Sequence, residues 1–250
     1  MCTVVVEVPE SPAGAVRLLA VRDEDPGRAW DAPGEWWPDL HPGVIGVRDR
    51  RANGAWLAAR PSDGRLAVIL NRAEATGPGH PQGSNGLVSR GGLVLDAVGG
   101  REPGDRPETA SFNLVSVDPG GATVTSWDGE TLGRERLEPG VHMLAHHDVD
   151  DADRTPRIAT WLPEFRALAG LGGEWREEWI ALLARTARLP AGDDRAIIRD
   201  NRGHGYPTLS LLACIAEIGA DTPGVGAMRL DTAVLETPAR WSGRGFVRSI

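Results

Sequence analysis

The first 24 residues decide the fold, and they read MCTVVVEVPESPAGAVRLLAVRDE (residues 1–24). Two runs rich in β-branched residues, 2–8 and 16–22, flank the segment PESPAGA. Such runs are typical of strands, and the Pro and Gly between them favour a turn. The sequence therefore predicts that the chain opens with a β-hairpin.

The rest of the chain carries strand and helix signals in blocks. Further strands are predicted at 44–47, 56–59, 66–70, 112–117, 123–127, 141–145, 208–217 and 227–236. Apolar residues at helical spacing predict helices over 85–98, 156–168 and 174–189, the second of them capped by Thr155. Because no strand–helix–strand rhythm repeats, the pattern favours an α+β fold with antiparallel sheets, in one domain over residues 1–250.

The charge and the cysteine content exclude several classes of function. The 35 acidic residues outnumber the 27 basic ones and give a net charge of −8 with no basic block, which argues against nucleic acid and anionic membranes as partners. Two cysteines at these positions suggest neither a disulfide framework nor a zinc site. Because the sequence has no secretory signal and no long apolar run, we expect a cytoplasmic protein without integral membrane association. We also expect no bound metal and no cofactor.

Cys2 carries the most specific chemical signal in the sequence. Removal of Met1 would leave a free α-amino group on the same residue as the thiol. The pKa of an α-amino group is about 7.7–8.0, so this group can accept the thiol proton near neutral pH, as in N-terminal nucleophile enzymes. The alternative is that Cys2 is a small buried apolar residue.

The second strand of the predicted hairpin ends in Arg22, Asp23 and Glu24. Antiparallel pairing would bring this end close to Cys2. A guanidinium there would lower the pKa of the thiol, and a carboxylate could orient the nucleophile. The alternative is a solvated loop whose charges pair with each other.

Four segments, MCTVVV, LAVRDEDPGRAWDAPGEWWPD, GVRDRRANGAWLAA and GRLAVILN, occur in this order within the first 72 residues. They resemble the NRDE family, the Transport-and-Golgi-organisation-2 (TANGO2-like) proteins. Looser similarity follows at FNLV (112–115), LEPGVHML (137–144), Pro156-Arg157 and YPTLS (206–210). The resemblance implies a four-layer αββα sandwich, in which two antiparallel sheets are flanked by helices as in N-terminal nucleophile (Ntn) hydrolases.

The resemblance also implies roles for individual residues. Cys2 occupies the nucleophile position, Arg22 and Asp23 fill the Arg-Asp pair of the signature, and Asn71 follows a strand as the oxyanion-hole Asn does in the related acylases. Asn71 could instead be a turn residue. The chain departs from the family pattern at Val21, His146 and Leu209, where polar residues are expected; Arg229 could replace one of them in space.

Trp36, Trp37 and His146 are further candidates for substrate binding. The tryptophans could form an apolar pocket wall or pack within a loop. His146-His147 could bind heme, and the acidic residues after them could bind a cation. An exposed acidic loop fits the spacing of these acidic residues better.

Three functions remain open at this point, and the third of them is a degenerate hydrolase scaffold that acts through protein contacts. In the first, the protein is a cysteine Ntn amidohydrolase that cleaves the C–N bond of a small apolar or acylated amide. In the second, the same pocket carries a hydrophobic ligand without catalysis. This alternative follows from the resemblance, since TANGO2-like proteins have been linked to heme and acyl-coenzyme A handling. The fold alone does not choose between them.

Overall fold

The computed structural model describes residues 2–73, 87–219, 228–243 and 245–250. Its strands are β1 (Thr3–Val8), β2 (Val16–Glu24), β3 (Trp30–Gly34), β4 (Ile45–Asp49), β5 (Ala55–Arg60), β6 (Arg65–Asn71), β7 (Phe112–Asp118), β8 (Gly121–Trp127), β9 (Leu132–Arg136), β10 (Gly140–Leu144), β11 (Leu209–Ile218), β12 (Met228–Val234) and β13 (Val247–Arg248). Its α-helices are α1 (Gly91–Val98), α2 (Pro156–Arg166) and α3 (Trp175–Thr186).

The strands form two antiparallel sheets. The first sheet has the order β10-β1-β2-β11-β12-β13, and the second has the order β3-β4-β5-β6-β7-β8-β9. The predicted N-terminal hairpin is confirmed, because β1 and β2 pair with Thr3 opposite Val21 and Val4 opposite Ala20. This hairpin lies inside the first sheet, with β10 on one side and β11 on the other.

The alternation of side chains along β1 and β2 separates two apolar cores. Val4 and Leu18 belong to the large core that also contains residues of the second sheet. Val5 and Leu19 point to the opposite face and pack with residues of α2 and α3. Helix α1 packs on β5 and β6 of the second sheet. The result is the expected α+β fold, a four-layer αββα sandwich.

Some elements differ from the prediction. Strand β3 contains a proline and β9 is mostly polar and exposed, so neither has the apolar pattern by which strands were predicted. Helix α1 begins at Gly91; positions 85 and 86 of the predicted helix, and 227 of the last predicted strand, lie outside the described residues. Pro156 begins α2 as expected, but Thr155 makes no capping hydrogen bond. No helix in the described part of the chain is long and apolar enough to cross a membrane.

Candidate active site

Cys2 lies immediately before β1 and faces the end of β2. Because Thr3 is opposite Val21, the next residues outward, Cys2 and the Arg22-Asp23 pair, are brought together. The backbone N–H of Asp23 donates a hydrogen bond to the Cys2 Sγ at 3.4 Å, and the thiol lies 3.7 Å from the Asp23 carbonyl oxygen, to which it can donate. The hairpin therefore fixes the position of the sulfur.

The Cys2 thiol is almost fully buried, with 8% of the residue exposed. Burial raises the pKa of this thiol, and the nearby Asp23 carboxylate raises it further, while the Arg22 guanidinium acts in the opposite direction. A thiol with a raised pKa is protonated at neutral pH. Nucleophilic attack by Cys2 would therefore require a base that removes its proton.

A cavity of about 370 Å³ opens beside this thiol. Cys2, Arg22, Asp23 and Asn71 all line it. The first three come from the N-terminal hairpin of the first sheet, whereas Asn71 is the last residue of β6 in the second sheet. The structure thus brings the four residues that the sequence suggested for catalysis to one cavity, at the ends of strands from both sheets.

The remaining lining of the cavity contains both charged and apolar side chains. The charged side chains include Glu24, Arg28, Asp49 and Arg90. The apolar side chains include Trp56, Ile69, Leu87, Val88 and Ala110. Such a lining suits a ligand that carries both polar and apolar groups.

Arg22 is buried beside Cys2 and is held by two contacts. Its Nη2 donates to the Glu24 Oε2 at 3.3 Å, and its guanidinium lies 5.4 Å from the centre of the Trp30 ring. Burial lowers the pKa of Arg22, although Glu24 opposes this shift. Arg28 is likewise paired with Asp49, its Nε lying 2.6 Å from the carboxylate. The charges of this wall therefore largely compensate one another.

Asp23 is held from the other face of the sheet. Its Oδ1 accepts a hydrogen bond from the Ser210 hydroxyl at 2.5 Å, and its Oδ2 accepts one from the Asn201 amide at 3.1 Å. On the same face, the buried Arg157 of α2 donates to the Thr3 hydroxyl at 2.8 Å.

Sequence reasoning missed Asn201, Ser210 and Arg157 as parts of the site. Arg157 and Ser210 lie in two of the segments that resemble the family, and this similarity was the signal that could have found them. Asn201 lies in a loop, where no comparable similarity or pattern marks it.

The three residues suggested for substrate binding do not line the 370 Å³ cavity. Trp37 is buried in the core and donates its indole N–H to the Asn53 carbonyl oxygen. Trp36 stacks against Arg48 and donates to the Ala32 carbonyl oxygen. The ring of His146 lies against that of His147, and burial, with a contribution from Arg157, lowers the pKa of His146 to about 3. His146 is therefore neutral at physiological pH.

The acidic loop after His147 is occupied by ion pairs. Asp148 pairs with Arg72 and Arg154, and Asp150 pairs with Arg166. The described residues contain no group of three or more His, Cys, Asp or Glu side chains arranged to hold a metal ion.

Two of the positions that depart from the family pattern, Val21 and Leu209, have apolar surroundings. Val21 packs in the core on the helix side, and Leu209 packs with Leu211. Arg229 donates to Asp231 at 2.9 Å and is not part of the cavity lining. Among the described residues, Arg229 therefore does not replace a polar residue in this cavity.

Comparison with known proteins agrees with this architecture. The structure is similar to that of a Caenorhabditis elegans N-acylethanolamine-hydrolyzing acid amidase (NAAA) ortholog, with a TM-score of 0.56 and 9% sequence identity over 94% of this chain and all of that chain. At this identity the likeness shows the fold alone, which is that of an Ntn hydrolase. No curated protein matches the sequence. The family model for Transport and Golgi organisation 2 (TANGO2) matches residues 1–169, and the chain therefore belongs to that family.

Proposed function

We propose that the protein is a cysteine Ntn amidohydrolase in which Cys2 is the nucleophile. The observation that carries this proposal is the convergence of Cys2, Arg22, Asp23 and Asn71 on one cavity. The TANGO2 family match and the Ntn-hydrolase fold are consistent with it, although neither identifies a reaction.

The surroundings of the thiol support a mechanism in which the base is supplied by Cys2 itself. Because burial raises the pKa of the thiol, a base must act at the moment of attack. His146 does not line the cavity. We propose that aminopeptidase removal of Met1 exposes the α-amino group of Cys2, which accepts the thiol proton as the sulfur attacks the amide carbonyl carbon. The C–N bond then breaks, the amine leaves with a proton, and water hydrolyses the thioester.

Asn71 is proposed to stabilise the oxyanion that forms during this attack. Its side chain is exposed at the end of β6, where it contributes to the cavity wall. A side-chain N–H₂ at such a position can donate to the developing negative charge, a contribution of about 3–4 kcal/mol in comparable sites. Arg22 and Asp23 are proposed to orient Cys2 from the neighbouring strand.

The cavity supports an uncharged amide with an apolar acyl group as the substrate class. Three arginines face three carboxylates in its lining: Arg22, Arg28 and Arg90 against Asp23, Glu24 and Asp49. This balance favours a neutral polar head group, and the apolar wall around Trp56 and Ile69 would accommodate an acyl chain. The similar C. elegans structure is described as hydrolysing N-acylethanolamines, which also join an acyl chain to a neutral head group.

Hydrolysis of a panel of N-acyl amides with acyl chains of increasing length tests this proposal. We expect the parent protein to release amine, the Cys2→Ala variant to lose at least about a thousandfold in kcat, and the matched Cys214→Ala variant to retain activity. The proposed amidase activity would be contradicted if no amide of the panel were hydrolysed and the parent protein bound hemin or acyl-coenzyme A stoichiometrically. That result would favour a carrier function.

A further inference from the structure

The Asp23 carboxylate is enclosed by residues from the C-terminal third of the chain, beyond the segment that matches the family model. By the alternation of β2, Asp23 follows Val21 to the face that packs on α2 and α3. Its backbone N–H nevertheless contacts the Cys2 sulfur. Asp23 thus joins a buried polar cluster on one face of the sheet to the thiol at the cavity.

A β-bulge places Ser210 against Asp23. Strands β2 and β11 are in regular register from Leu212 onward, and the register shifts between Ser210 and Leu212 so that Ser210 lies opposite Asp23. A bulge inserts one extra residue and re-aims the side chains beside it. The Ser210 hydroxyl is fully buried, donates to Asp23 and accepts the backbone N–H of Arg199 at 2.8 Å.

Asn201 is the second partner of the Asp23 carboxylate and is itself fixed on three sides. It is fully buried. Its amide nitrogen donates to Asp23 and to the Thr208 hydroxyl, while its Oδ1 accepts the Nε–H of Arg199 at 2.9 Å. Because each polar atom of the Asn201 side chain has a partner, its orientation toward Asp23 is determined by the network.

We infer that Asn201 and Ser210 are positioning residues for Cys2, which act by holding Asp23 so that its backbone N–H stays on the sulfur. This inference rests on the proposed role of Cys2, since it assigns a function to the network that surrounds the same site. A hydrogen bond from an N–H to sulfur stabilises the thiolate form. The Asp23 carboxylate raises the pKa of the thiol, and the hydrogen bonds from Asn201 and Ser210 disperse its negative charge. Removing either donor leaves more of this charge facing the thiol and frees the N–H, and both changes make Cys2 harder to deprotonate.

The charged groups around Cys2 affect its titration, so the variants that test this inference must leave them unchanged. Arg22 and Asp23 approach from β2, Arg157 from α2 and Arg199 from the loop before β11. The α-amino group that removal of Met1 would expose belongs to Cys2 itself. Ser210→Ala and Asn201→Ser change none of these charges. Any shift in the titration of Cys2 in these variants therefore reflects the arrangement of the groups and not their number.

The test is the rate of Cys2 alkylation by iodoacetamide as a function of pH, followed by peptide mass spectrometry with Cys214 as an internal reporter. We expect Ser210→Ala and Asn201→Ser to shift the midpoint of the Cys2 profile to higher pH and to slow labelling at neutral pH by about threefold to tenfold. Ser210→Thr, which keeps the hydroxyl, should restore the parent profile. Cys214 should stay unlabelled throughout.

Unfolding would produce the opposite pattern, because it exposes both thiols and accelerates the labelling of Cys2 and Cys214 together. An unchanged Cys2 profile in both variants, or faster labelling of both cysteines in both, would overturn the inference. The readout does not depend on turnover. A protein that shows the expected shifts but hydrolyses no amide would refute the proposed function and leave the positioning role standing.

Discussion

The two cysteines of the chain lie in the same core but in different chemical surroundings. Cys214 is in the middle of β11, between Ala20 of β2 and Thr232 of β12, and is completely buried. Cys2 lies at the end of the same sheet, where its sulfur contacts the Asp23 backbone and lines the 370 Å³ cavity. Burial raises the pKa of both thiols.

Burial alone does not mark a nucleophile in this fold, because both thiols are buried. What distinguishes Cys2 is its place at the end of the strands, where it lines a cavity together with polar residues of β2 and β6. The charge of Arg22 also acts on the Cys214 thiol, but Cys214 does not line the cavity. It therefore serves as a built-in control for each experiment on Cys2.

The largest effect that sharpens this comparison concerns Asn71, the cavity residue contributed by the second sheet. We expect Asn71→Ala to lower kcat by about a hundredfold to a thousandfold, because the variant loses a donor to the oxyanion. Iodoacetamide labelling of Cys2 should stay within about twofold of the parent rate, since alkylation forms no oxyanion. Steady-state kinetics with the best amide of the panel measure the first effect. A normal kcat in this variant would remove Asn71 from the mechanism.

Serine substitution at each cysteine tests the difference between their surroundings directly. Cys214→Ser places a hydroxyl in an apolar part of the core and should lower the free energy of unfolding by about 1–3 kcal/mol. Cys2→Ser should cost less than about 1 kcal/mol, because the Asp23 N–H and the cavity remain available to the hydroxyl. Urea unfolding of the two variants measures both values. Equal losses would show that the two sites are not different in polarity.

The smallest expected effect comes from His142 of β10, a reference position outside the cavity lining. Its Nδ1–H donates to the Asp150 carboxylate at 2.9 Å, and this hydrogen bond raises the pKa of His142 above its usual 6.5. A pKa that is higher in the folded state stabilises the fold fully below pH 6.5, and this contribution is lost as the pH rises through the folded-state value.

The parent protein should therefore lose up to about 1 kcal/mol more than His142→Gln between about pH 6 and about pH 8. Urea unfolding at the two pH values measures the difference between the proteins. The same pH dependence in both would show that the His142–Asp150 pair does not contribute to stability.

The hairpin at the start of the chain could be predicted because its signals are local. β-branched runs and the intervening Pro and Gly define β1 and β2, and antiparallel pairing then places Arg22 and Asp23 beside Cys2. The αββα arrangement and the candidate role of Asn71 came from the resemblance to a family, because the pairing of distant strands such as β2 with β11 leaves no local pattern.

The polar cluster around Asp23 could not be predicted for the same reason. Asn201 is 178 positions away from Asp23 in the chain, and Ser210 is 187 positions away. Both reach Asp23 because of the bulge in β11 and the course of the preceding loop, which depend on tertiary packing. Trp36 and Trp37 lie close to the hairpin in sequence, and yet neither lines the cavity. Nearness along the chain is therefore a poor guide to membership of this site.

We propose that Cys2 is a nucleophile whose base is its own α-amino group. Intact mass spectrometry of the protein after reaction with limiting iodoacetamide tests this directly. We expect a chain that begins at Cys2, with Met1 removed, and a single adduct that maps to Cys2. A hydrolytically active protein that retains Met1, or a first adduct on Cys214, would contradict it.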